Sequence, residues 1–135
     1  MPRRGAFLLL VAAGVSPLAA QAAAPEPDGA QVFQMVCSMC HTVNPPPKAA
    51  PPMSHATGFY LRQHQTIEAA AAAIVAYLKQ PDSARSALPA HAVTRFGLMP
   101  SQAHLTDVQL GAVARYVLTL ADTTHQMPMG PPGAP

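Results

Sequence analysis

Cys37-Ser38-Met39-Cys40-His41 holds both cysteines of the 135-residue chain, three positions apart, with a histidine directly after the second. C-x-x-C-H is the attachment sequence for c-type haem. Two thiols can add to the two vinyl groups of a haem, and the adjacent imidazole can coordinate the iron from one face. On a helix, side chains three and four positions apart share a side, so all three groups can meet one flat ligand. The rest of the chain then has to supply a second iron ligand, an apolar pocket and a compartment where haem is attached.

Other uses of the two cysteines fit less well. A Cys37–Cys40 disulfide would close a tiny loop and stabilise little through loop entropy. It would resemble a thioredoxin-type redox pair, but the surrounding β-α-β pattern is missing. A tetrahedral zinc site would want further ligands at zinc-motif spacing.

Upstream, residues 1–22 read as a secretory signal. Arg3 and Arg4 form a positive start, and Ala6 to Val15 is an apolar run too short to span a bilayer. Ala20-Gln21-Ala22 fits the small-x-small cleavage rule, which places the protein in the periplasm with cleavage after Ala22. Without Arg3 and Arg4 the eight basic side chains fall to six, against six acidic ones. This balance offers no steering patch. With no basic run and no aromatic platform, nothing argues for nucleic acid.

Residues 23–27 read as a disordered leader. A helix follows, with Asp28 as N-cap and Gln31 at N3. Gly29, Phe33, Val36, Cys37 and Cys40 fall on one face of it. Glycine is a poor helix former, so Gly29 predicts the close crossing of another helix. After His41, Asn44-Pro45-Pro46-Pro47 and Pro51-Pro52 predict an extended loop along one edge of the haem. A carbonyl of Pro51 or Pro52 is the expected acceptor for the Nδ1–H of His41, which would leave Nε2 for iron.

A second helix is predicted from Ile67 to Gln80, with Thr66 as N-cap and Ile67, Ile74, Val75 and Leu78 on its apolar side. Its run of five alanines, Ala69 to Ala73, favours helix and allows close approach. Tyr77 is a candidate donor to a haem propionate. Residues 82–98 read as irregular, with a short helix from Ala90 to Phe96. Gly97-Leu98-Met99-Pro100 forms a turn. Thr106 and Gln109 then make a capping box, with Leu105 and Leu110 as its hydrophobic staple. The helix they open runs to about Ala121, with Leu110, Val113, Ala114, Val117, Leu118 and Ala121 as its apolar stripe. Residues 123–135, rich in Pro, Gly and Met, read as a disordered tail. The sum is an all-α domain over residues 28–122, three to four helices wrapped around one covalently bound haem. So few aromatic residues make a thin core unless the haem adds its own apolar mass.

Met99 is the expected second iron ligand. It sits in a turn between two helices, far enough from His41 in sequence to reach the opposite face of the ring. Thioether sulfur is soft, favours ferrous iron and raises the reduction potential. Met53 is the alternative from the loop, and His55, His64, His91 and His104 are alternatives for a bis-histidine site. Met35 and Met39 lie on the attachment helix and cannot circle the ring. His125, Met127 and Met129 read as solvated tail.

These pieces resemble the small monohaem class I cytochromes c. Gly29-x-x-x-Phe33 places an aromatic four residues before Cys37, as that family does. Cys37-x-x-Cys40-His41 matches its haem motif and Met99-Pro100 its distal-ligand turn, while Val113 and Tyr116 match its terminal helix. Many members have a tryptophan that bonds a propionate, and here Tyr77 stands in a similar place. The resemblance implies thioethers at Cys37 and Cys40, iron held by His41 and Met99, and haem c as cofactor. It further implies single-electron transfer between redox partner proteins, a donor and an acceptor. No small-molecule substrate is expected, and a membrane is reached only through partners. A haem-bearing acceptor subunit of a periplasmic dehydrogenase or oxidase, or an open-site haem sensor or enzyme, are the competing readings.

Overall fold

The computed structural model describes residues 25–122, and the signal and tail expectations lie outside those residues. Among the described residues every regular element is helical. The first helix, α1 (Gly29–Val32), starts where Asp28 accepts a hydrogen bond from the Ala30 N–H at 2.9 Å. It then widens into a π-helical turn over Phe33–Cys37, closed by Ser38 N–H on Phe33 C=O at 3.0 Å. The expected regular helix thus ends early, and the wider turn delivers Cys37. Such π segments concentrate at functional sites. Within residues 23–27, the described Glu26 pairs with Arg115 at 3.0 Å.

A helix that the sequence did not suggest follows the proline loop: α2, Met53–Gln63. The prolines hid it. Pro52 is its N-cap, so the stretch that argues against helix ends where the helix starts. Gly58, Thr57 and His55 also blur its pattern, yet Met53, Ala56, Thr57 and Tyr60 are buried on one side. The Thr57 hydroxyl is satisfied by the Met53 carbonyl at 2.7 Å.

Next comes α3, Ile67–Lys79, capped by the Thr66 side chain on Ala69 N–H. Ile74 and Leu78 are buried as expected, whereas Ile67 is half exposed. Ala70 and Ala71 are buried where α3 packs on the last helix. The short helix α4 covers Ala90–Phe96, as predicted, and stops at Gly97, whose φ of 75° is left-handed and suits glycine. The final helix, α5 (Asp107–Thr119), carries the complete Thr106–Gln109 capping box. Replacing the cap, Thr106→Ala, should cost about 1 kcal/mol. Equilibrium urea unfolding of the holoprotein should show a lower midpoint at unchanged slope.

The core forms along α5, where α1 and α3 each pack against it. Phe33, Leu110, Val113 and Ala114 are almost completely buried, with Val117 and Leu118 behind them. The crossing of α1 and α5 is very tight. A Cβ built on Gly29 would lie 2.3 Å from the Ala112 carbonyl oxygen and 2.8 Å from Tyr116 Cβ. Phe33 and Tyr116 meet a turn away, with ring centroids 5.8 Å apart. No helix among the described residues is long and apolar enough to cross a membrane.

Candidate functional site

The turn after the π segment brings the motif together. Cys40 N–H and His41 N–H both donate to the Cys37 carbonyl, at 3.2 and 2.9 Å. The three- and four-residue spacing is therefore kept through the widened turn. Cys37, Cys40 and His41 line one largely apolar cavity of about 270 Å³. No disulfide joins the two cysteines. Burial pushes the Cys37 thiol up to about 11, so it stays protonated near neutrality, while Cys40 is exposed.

His41 is held from behind. Its Nδ1 lies 2.7 Å from the Pro51 carbonyl oxygen, one of the two acceptors expected from the sequence. A carbonyl can only accept, so this contact places the proton on Nδ1 and leaves the Nε2 lone pair available. Burial lowers the His41 pKa against the opposing effect of that bond, which keeps the imidazole neutral, the form a metal takes. The proline loop is tied to the motif along its length. Ala50 N–H donates to Cys40 C=O, Met53 N–H to Thr42 C=O, and Lys48 Nζ to Ser38 C=O.

Met99 lines the same cavity, and so does Met53. They come from different walls. Met53 begins α2 immediately after Pro51-Pro52, and its N–H is bonded to Thr42, so its backbone belongs with His41. Met99 belongs to the segment fastened to the end of α3. There Gln102 N–H donates to Leu78 C=O at 2.7 Å and the Ser101 hydroxyl to Lys79 C=O at 2.6 Å. These bonds occupy carbonyls that a helix C-terminus otherwise leaves unpaired. Tyr77 also lines the cavity, and burial raises its hydroxyl's pKa against the opposing effect of nearby Ser86 and the Met99 backbone. His55, His64, His91 and His104 do not line this cavity, and Met35 and Met39 point to solvent.

The cavity fits a haem in its donor chemistry: two thiols and a neutral imidazole from one stretch, a thioether from another wall, and apolar walls between. Ala92, Val93 and Phe96 of α4 and Tyr60 of α2 complete those walls, two elements whose part in the site the sequence did not reveal. Their only local signal is the apolar spacing of Met53, Ala56 and Tyr60, which the flanking prolines mask.

Tyr60 gives the cavity a pH signature. Burial, with the neighbouring Tyr77 adding to it, pushes its hydroxyl up to about 12 against a weaker opposing hydrogen bond to the Ala87 backbone. The unfolded chain releases this proton near the ordinary tyrosine value of about 10. Between those values the unfolded state binds fewer protons, so stability falls as pH rises, by at most about 1.4 kcal/mol per pH unit. Denaturant midpoints measured across that window should drop, and Tyr60→Phe should flatten the drop.

Comparison with known proteins adds one finding. A family model described as Cytochrome c matches residues 27–121. No curated protein matches the chain, and no solved structure does.

Proposed function

Since the chain belongs to the cytochrome c family of haem-bearing electron-transfer proteins, we propose that it carries single electrons on a haem ligated by His41 and Met99. The observation behind this reading is the single cavity that gathers Cys37, Cys40, His41 and Met99. A haem bound there would supply the one-electron couple of its iron. The residues around it do the remaining work. Cys37 and Cys40 would anchor it through thioether bonds, and His41 would offer Nε2 because Pro51 holds its other nitrogen. Met99 approaches from the α3 wall on a segment fixed by Ser101 and Gln102. A soft sulfur there would favour the ferrous state and would limit access of small molecules to the iron.

In this reading the protein works in the periplasm, taking an electron from one protein and giving it to another. No substrate enters the cavity. The test is carbon monoxide. The reduced native protein should show a six-coordinate low-spin spectrum and bind the gas only slowly. Rapid binding would instead mean an open iron site and a sensor or enzyme.

A further inference from the structure

A second, larger cleft of about 590 Å³ lies on the other side of one wall of the haem cavity. Pro51, Ala56, Leu88, Ala92 and Phe96 line both spaces. The cleft's outer lining carries His55, Phe59 and Arg62 from α2, and His91, Arg95 and Phe96 from α4, beside the prolines of the preceding loop. Its charge is uneven. Among the described residues Lys79, Arg85 and Arg115 are paired with carboxylates, while no such salt bridge reaches Arg62 or Arg95. Asp122 is the single carboxylate of the lining, and it has a contact of its own.

Both guanidinium groups are pre-set. Arg62 Cζ sits 4.3 Å from the Phe59 ring centroid, and Arg95 Cζ 5.0 Å from that of Phe96. Stacking of this kind immobilises the long stem and leaves the planar N–H edge free for a carboxylate. Two such edges in a concave, partly apolar cleft select an anionic polypeptide segment. The chain's own residues 123–135 contain no Asp or Glu, so they lack the matching charge. A second copy matches less well. Its Glu26, Asp82 and Asp107 are already paired and Asp28 caps α1, which leaves Glu68 as a lone exposed carboxylate on α3 rather than an acidic segment.

We propose that this cleft docks an acidic segment of a redox partner, placing the partner one layer of side chains from the haem cavity. This goes beyond the carrier reading and rests on it for its purpose.

The test uses the oxidised holoprotein labelled with ¹⁵N and titrated with a hexaglutamate peptide at low salt. Amide shifts are expected at His55, Phe59, Arg62, His91 and Arg95. The double variant Arg62→Gln/Arg95→Gln should bind the peptide at least about tenfold more weakly, since it loses two charge-assisted contacts. Shifts confined to residues near Cys40 and Lys48 would overturn the proposal. So would a double variant with unchanged peptide affinity but an altered haem spectrum, which would assign the arginines to the cofactor. Inorganic phosphate displacing the peptide at equal ionic strength and equal concentration would also overturn it, marking a small-anion site. Reversible one-electron reduction of both proteins by dithionite and reoxidation by ferricyanide tests the carrier reading separately.

Discussion

Met99→Ala is expected to abolish the sulfur-to-iron absorption band of the oxidised protein and to lower its reduction potential by on the order of 100 mV or more. Removing a thioether withdraws the ligand that favours ferrous iron. The expectation rests on where Met99 is held. Its segment is bonded to the last carbonyls of α3 through Ser101 and Gln102, on a different wall from His41. Met53 shares the cavity, but its backbone is joined to Thr42 beside the histidine. Met53→Leu should therefore keep the band, and as a near volume-conserving change it should cost less than about 1.5 kcal/mol. A band that survives in Met99→Ala and vanishes in Met53→Leu would reverse the assignment. Optical spectra and a redox titration of both variants separate the cases.

The second large effect concerns stability. Gly29→Ala should destabilise the holoprotein by about 2 kcal/mol, although alanine is the better helix former by about 1 kcal/mol. The clash decides the sign. The new methyl group would stand 2.3 Å from a backbone oxygen of α5, and a backbone carbonyl within a capped helix cannot step aside as a side chain can. The helices would have to separate, loosening the contact of Phe33 with Tyr116 one turn from Cys37. Gly111→Ala on α5 is the control, because the atom nearest its Cβ is the mobile end of Arg115 at 3.6 Å. That change should be neutral or stabilising by up to about 1 kcal/mol. Equal effects of the two substitutions in guanidinium unfolding would contradict the crossing.

Much of this protein was legible in the sequence because the signals are local. Asp28, Thr66 and Thr106 act as caps within three residues of themselves, and each does so in the structure. Pro51 lies ten residues from His41 on a proline-stiffened loop, so a bond between them needed little knowledge of the fold. Gly29 announced a helix crossing by being a poor choice for a helix on any other ground.

The tertiary structure alone decided the rest. It made α2 a helix, since the burial of Met53, Ala56 and Tyr60 overrides a sequence of weak helical pattern behind a run of prolines. It widened the end of the first helix into a π-helical turn at the point where Cys37 enters the cavity. It also sorted the charges. The sequence shows equal numbers of acidic and basic side chains after residues 1–22 and no patch. In the fold, carboxylates meet Lys79, Arg85 and Arg115, while Arg62 and Arg95 are left together in one cleft. A charge count carries no positions, and the two arginines share that cleft only because α2 and α4 line it from distant parts of the chain. The motif from Cys37 to His41 determined the cofactor by its covalent chemistry, and packing determined what surrounds it.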